Sequence, residues 1–219
     1  MKSEKFWDKM ANRYDLEEKK DEKTTLQIIE KTKKYLKIKD IVLDFGCGTG
    51  LIANELADHV QVIHAIDTSS KMIEIAKKKA EGRNIKNIEF AHTTLFDERY
   101  QSGSLDAVLV FYILHLLEEP QKVIQRIDEL LKPGGLIVSA TPCVGEKIFP
   151  GILLSLVSKV GLIPKIRSYK FAELEDLFVN GNFEIVETEC LVKNSQQNII
   201  IAKKIENRSI NHFLPRKDQ

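Results

Sequence analysis

Val42-Leu43-Asp44-Phe45-Gly46-Cys47-Gly48-Thr49-Gly50 is the stretch on which the reading of this 219-residue chain turns. An apolar run ending in an acid and then three alternate glycines reads as a buried strand feeding a tight turn, with Leu51 to Ala57 as the helix that follows. Glycines in such a turn adopt dihedrals closed to other residues and let the backbone come close to a ligand. Roughly 20 residues on, the apolar run Val62 to Ile66 reads as the next strand, and Asp67 stands at its end. An acid there accepts hydrogen bonds from the ribose hydroxyls of a nucleoside in a dinucleotide-type fold. The glycine spacing narrows the nucleoside. A dinucleotide fingerprint reads G-x-G-x-x-G and sets a pyrophosphate on the helix N-terminus, whereas Gly46, Gly48 and Gly50 follow Asp44, whose carboxylate repels phosphate and suits an ammonium group.

Outward from this stretch, strand-like and helix-like segments alternate. Ser69 to Ala80 reads as a helix capped by Ser69 or Ser70, Ile88 to Ala91 as a strand, Leu105 to Phe111 as a strand, Pro120 to Leu131 as a helix and Leu136 to Ala140 as a strand. The strands are continuous apolar runs, which argues for a parallel sheet covered on both faces by helices. Leu131-Lys132-Pro133-Gly134-Gly135 reads as a helix stop and a turn. The rhythm then breaks: Phe171 to Asn180 reads as a helix closing at Gly181, and Phe183 to Val192 with Asn198 to Lys203 reads as an antiparallel hairpin. Upstream, residues 1–39 predict two Lys- and Glu-rich helices broken near Lys20-Asp21, a cap on the domain at 40–205. Residues 206–219 form a polar tail.

Composition bounds the function. Lys and Arg total 33 and Asp and Glu 32, a formal charge of +1, so no basic excess favours nucleic acid. Cys47, Cys143 and Cys190 are too few and wrongly spaced for a disulfide framework or a zinc site, and no metal is expected. The start of the chain carries charges where a signal peptide needs an apolar stretch, and no segment is apolar enough to span a membrane; a cytoplasmic protein is expected.

The ammonium-bearing nucleoside without phosphate is S-adenosylmethionine, and the chain resembles a class I S-adenosylmethionine-dependent methyltransferase of the small-molecule, methyltransferase type 11-like branch. The resemblance runs from about Val42 to about Lys203. It rests on Asp44 to Gly50, on Asp67, on Gly103-Ser104-Leu105-Asp106-Ala107-Val108, on Leu130-Leu131-Lys132-Pro133-Gly134-Gly135 and on the terminal hairpin. It implies a Rossmann-like α/β fold with a seven-stranded, mainly parallel sheet. It further implies that Gly46, Gly48 and Gly50 pack under the methionine part of the cofactor and that Asp44 holds its amino group, with Cys47 a small side chain inside the same cofactor-binding motif. Asp67 would take the ribose, and Thr68 and Met72 would lie against the adenine. The acid and small residue that contact the adenine edge in many relatives are Thr94 and Leu95 here, a departure that leaves only uncharged hydrogen bonds. Phe6-Trp7-Asp8-Lys9-Met10 with Arg13-Tyr14-Asp15 is similar to the N-terminal helix that closes over the cofactor in many members, with Tyr14 nearest to it. Phe111 borders the same site.

The acceptor side is less defined. Tyr112 and His115 follow the fourth strand, where the family's substrate meets the methyl group, and His115 is a candidate base on a phenol or similar acceptor. Positioning alone can carry an in-line displacement on a sulfonium, so the base is dispensable. Cys143, in Thr141-Pro142-Cys143, resembles the nucleophile of RNA cytosine-carbon methyltransferases. Those enzymes also need a Pro-Cys after the fourth strand, where this chain has Phe111-Tyr112-Ile113. The same residues lack the Asn/Asp-Pro-Pro-aromatic loop of amine and amide methylation. A small-molecule acceptor is expected, with no nucleic acid. The apolar stretch Ile148 to Arg167 lies where the family inserts its acceptor lid, at about 144–170, and suggests an apolar or amphipathic acceptor or peripheral contact with a membrane. Two rival readings share these motifs: a non-catalytic S-adenosylmethionine-binding scaffold, and a nicotinamide oxidoreductase, which Asp44 disfavours. The residues leave the oligomeric state open.

Overall fold

A computed structural model describes residues 2–18, 21–143, 166–192 and 197–206. Each apolar run around the glycine turn forms a strand. In chain order the elements are α1 (Lys2–Glu18), α2 (Glu22–Lys33), β1 (Ile41–Phe45), α3 (Leu51–Leu56), β2 (Val62–Asp67), α4 (Ser70–Gly82), β3 (Ile88–His92), β4 (Leu105–Phe111), α5 (Pro120–Leu130), β5 (Leu131–Pro142), α6 (Phe171–Val179), β6 (Phe183–Val192) and β7 (Gln197–Lys204). They build one seven-stranded sheet in the order β3-β2-β1-β4-β5-β7-β6. β1 to β5 run parallel, and β7 is antiparallel to both β5 and β6. The protein therefore has the Rossmann-like fold with a reversed terminal hairpin.

The order places the site. From β1 the chain winds outward to β2 and β3, then returns to β4 on the other side, so a crevice opens at the carboxyl ends of β1 and β4. The side chains of β1 alternate between two cores. Leu43 joins Ile66, Val108, Val110 and the α5 residues Ile124 and Ile127, while Val42 joins Ile63, Leu109 and the α2 residues Ile28 and Ile29. Both cores are built from buried apolar side chains, as a parallel sheet covered on both faces requires. α5 buries Val123, Ile124, Ile127 and Leu130 at helical spacing, begins with Pro120 and packs on α6. A methyl group on Gly181 would overlap the Ile124 side chain, so this glycine lets α6 turn closely against α5.

Two details differ from expectation. Leu131 to Gly135 is not a free turn: Leu131 already pairs with Leu105, and the ladder resumes at Leu136 opposite Ala107 after an irregularity at the glycines. Leu131 is fully buried, which holds the strand in place before the bulge. The helix after β1 stops at Leu56 and tightens into a 3₁₀ turn at Ala57–His59. α2 is tied to the far edge of the sheet, where Lys31 and Tyr35 both contact Glu187. The expected lid at about 144–170 lies outside the described residues up to 165, the polar tail does so from 207, and the hairpin connection does so at 193–196. No helix among the described residues is long and apolar enough to cross a membrane.

Candidate functional site

The turn after β1 is held from below. The backbone N–H groups of Gly46 and Cys47 both donate to the Ile66 carbonyl of β2, at 2.8 and 2.9 Å. Asp67 then fixes the turn's far side: Gly48 N donates to Oδ2 at 3.0 Å, and Ser69 N donates to Oδ1 at 2.7 Å. Each carboxylate oxygen keeps acceptor capacity for another donor. Gly46 and Gly50 both have positive φ, at 78° and 74°. A Cβ on Gly46 would stand 2.9 Å from Ile113 Cδ1, and one on Gly50 would stand 3.0 Å from Ala76 Cβ and 3.1 Å from the Phe90 ring. Gly50→Ala is therefore expected to cost about 1–3 kcal/mol of stability through strain and overpacking. Urea unfolding of the variant checks this.

Above the turn lies a cavity of about 490 Å³. Gly46, Gly48, Asp67, Thr68 and Met72 form one wall, and His92, Thr93 and Thr94 from the end of β3 form the next. Phe45, Phe111, Tyr112, Ile113, Leu116 and Leu117 make an apolar wall after β4. Trp7 and Tyr14 of α1 roof the space, with their rings edge to face at 6.2 Å. A second, small space of about 30 Å³ adjoins the turn beside Asp44, Gly46, Cys47, Phe111 and Tyr112. That is room enough for a small polar group.

Asp44 is 3 % exposed, and no described residue hydrogen-bonds to or pairs with its carboxylate. Burial, with a smaller contribution from the Asp67 charge, raises its pKa to about 7. Burial also raises the pKa of Asp67, opposed by the N–H groups of Ser69 and Gly48. The result is a buried, desolvated carboxyl group that no described residue neutralises, beside a small open space. Burial pushes the Cys47 thiol well up and leaves it an inert small side chain.

The family described as methyltransferase domain matches residues 36–209. The chain belongs to that family. It is a methyltransferase domain of the class I, Rossmann-like type. The ubiquinone biosynthesis O-methyltransferase of Rickettsia typhi is 30% identical over 180 residues, covering 78% of this chain and 72% of that one. The protein of the same name from Coxiella burnetii is 28% identical over 124 residues, 57% of this chain; the matched part spans only 53% of that relative. Among solved structures, the putative methyltransferase of Haloferax volcanii in complex with the Trm112 methyltransferase activator superposes with a TM-score of 0.76 at 16% identity. That match covers 91% of this chain and 98% of that one.

In this methyltransferase the residues expected from sequence divide into three groups. Tyr14, Gly46, Gly48, Asp67, Thr68, Met72, Thr94, Phe111 and Tyr112 line the large cavity, and Asp44 and Cys47 line the small one. Gly50, Leu95 and His115 line neither. Gly50 instead packs against α4 and β3. The Leu95 side chain turns into the core that contains Tyr100 and Ile127, because its neighbour Thr94 takes the cavity side. His115 sits in the 3₁₀ turn Leu114–Leu116, whose geometry sends Leu116 to the cavity and His115 behind it. Its Nδ1 is buried without a hydrogen-bond partner among the described residues, and burial lowers its pKa to about 4. Tyr112 has a φ of 55°, unusual for a bulky residue, and its hydroxyl donates to Gln197 Oε1 at 2.9 Å. Glu4, Trp7, His92 and Leu117 also line the cavity and were not among the expected contacts. The parallel register that sets His92 beside Asp67 is the signal that leads to His92.

Proposed function

We propose that the cavity binds S-adenosylmethionine with its amino group on Asp44 and its ribose on Asp67, and that the chain passes the methyl group to an oxygen of a small, apolar or amphipathic acceptor. The observation that carries the cofactor placement is the buried Asp44 carboxylate, which no described residue pairs with, beside a small open space at the glycine turn. Burying a charge without a partner is costly, and a cationic ligand removes that cost. Asp67 lines the cavity and keeps acceptor capacity beyond its two backbone donors, which ribose hydroxyls would use. Gly46 and Gly48 let the backbone lie close under the cofactor, while Met72, Thr68 and Thr94 border the adenine and Tyr14 covers it. When bound, the cofactor supplies an activated methyl group on a sulfonium.

Phe45, Phe111, Tyr112, Ile113, Leu116 and Leu117 give the acceptor a mainly apolar wall. An apolar molecule gains from that burial, and a few polar groups orient it. His115 does not serve as the base. Its pKa of about 4 lies about six pH units below that of a phenol, roughly 8 kcal/mol against proton transfer. The protein acts by positioning the two reactants in line, with Tyr112 held at the junction by Gln197. The relatives named as O-methyltransferases support oxygen as the methylated atom. A panel of phenols with and without apolar chains tests the reading by mass analysis of products. Methylation of the apolar phenols is expected, and turnover confined to amines or thiols would contradict it.

Cofactor affinity should depend on pH through Asp44. Its folded pKa is raised, so the proton leaves on binding a cation, and affinity rises as pH increases through about 7. Below that, affinity falls by up to about tenfold for each pH unit, while above about 8 the cofactor's own amino group loses its proton. Calorimetry at pH 6, 7.5 and 9 should find the tightest binding at the middle value. The same shift has a consequence for the free protein: Asp44 contributes most to stability below 3.8, and that contribution is lost as pH rises through about 7.

A further inference from the structure

We propose that Asp15, Lys79 and Thr49 form a latch that holds α1 closed over the cofactor cavity, making Asp15 a positioning residue that sets how long the cofactor stays bound. This rests on the cavity being the cofactor site.

The three side chains come from three separate elements and close a ring. Asp15 Oδ2 of α1 lies 2.6 Å from Lys79 Nζ of α4, and Asp15 Oδ1 accepts from Thr49 Oγ1 at 2.6 Å. Thr49 Oγ1 in turn accepts from Lys79 Nζ at 2.9 Å. Thr49 is 1 % exposed and stands in the turn between Gly48 and Gly50. An isolated surface ion pair contributes little to stability. This one is joined to a buried hydroxyl and shares its charge among three partners, the arrangement in which such contacts become strong and mutually dependent.

The latch acts on the cavity through one helix face. Trp7, Ala11 and Tyr14 recur at helical spacing, so the face that carries Asp15 also carries the roof. Tyr14 immediately precedes Asp15, and its ring lies 3.5 Å from where a Gly48 Cβ would be. At the other end of the cavity Asp8 Oδ1 accepts from Ser69 Oγ at 2.6 Å, next to Thr68 and Asp67. α1 is thus pinned once beyond the glycine turn and once beyond the ribose acid. Among its described side chains only Ala11 is fully buried, while Phe6, Trp7, Met10 and Tyr14 are half-buried, so α1 adds little to the two cores and its polar contacts help to hold it down. Such a helix can lift while the sheet stays folded.

Trp7 is the sole tryptophan of the chain and part of the roof, so its fluorescence reports the latch directly. The test is stopped-flow displacement of S-adenosylhomocysteine from the full chain, with melting of the free proteins as a control on folding. Asp15→Asn and Lys79→Met are each expected to release the ligand about tenfold faster. The double variant should be no faster than either single one, because the contacts form one unit. The exchange Asp15→Lys with Lys79→Asp should recover slower release, which a purely structural defect would not. Added salt should speed release from the wild type and not from Asp15→Asn. Wild-type binding with unchanged release in both single variants overturns the latch alone, as does calorimetric binding with no change in Trp7 emission. No binding by the wild type in either measurement overturns the cavity assignment and the latch together.

Discussion

Asp44→Asn should make the free protein more stable at pH 8 and at the same time weaken S-adenosylmethionine binding by about 100-fold or more. Both effects follow from one fact, a buried carboxylate that no described residue neutralises. In the free protein the ionised group costs stability, since burial has moved its pKa from 3.8 to about 7. An asparagine of the same shape removes the charge and its repulsion from Asp67, although its amide is still not hydrogen-bonded, so the expected gain is about 1–3 kcal/mol. In the complex the same change leaves the ligand's ammonium buried and unpaired. Breaking a buried pair in this way costs about 3–5 kcal/mol, which corresponds to more than 100-fold in affinity. Urea unfolding and calorimetry at pH 8 measure the two sides. A structural role predicts lower stability with unchanged affinity, the reverse of this pattern.

Asp67→Ala is the second large effect, and its signature is different. The carboxylate accepts from Gly48 N and Ser69 N and, on the proposed placement, would also take the ribose, so stability and affinity should both fall. Loss of the ribose hydrogen bonds costs on the order of 1–3 kcal/mol in affinity, with a similar cost in stability for the two orphaned backbone donors. The two acids separate by ligand. Methylthioadenosine keeps the ribose and lacks the amino acid part. Asp67→Ala should weaken methylthioadenosine and S-adenosylmethionine alike, whereas Asp44→Asn should weaken only S-adenosylmethionine. Equal responses of both ligands to both variants would mean that the ends of the cavity are assigned wrongly.

The parts of the fold that were legible in the sequence are those set by local chemistry. Val42 to Gly50 carries its own strand, turn and helix start, and the run of apolar strands separated by polar helices fixes a parallel sheet. Ser69 is an N-cap by residue type, and its hydroxyl accepts from Met72 N at 3.2 Å. The parts that were not legible depend on which way a side chain turns, or on contacts between distant segments. Leu95 and Thr94 are neighbours, and only the tertiary packing decides which of them enters the core. His115 stands close after β4, but a 3₁₀ turn follows the positive φ of Tyr112, and there Leu116 lines the cavity while His115 does not. Gly50 belongs to the motif by spacing, yet what it serves is the contact with Ala76 and Phe90. Asp15 and Lys79 are 64 positions apart, and both look like ordinary surface charges until α1 is laid across α4.

The central claim is that the space over the glycine turn holds S-adenosylmethionine, amino group toward Asp44 and ribose on Asp67. A crystal structure of the chain with S-adenosylhomocysteine tests it most directly. The account predicts an amino nitrogen in hydrogen-bond reach of Asp44, both ribose hydroxyls on the Asp67 carboxylate and the sulfur facing the wall of Phe111 to Leu117. A ligand lying elsewhere, or one with its ribose away from Asp67, would contradict it.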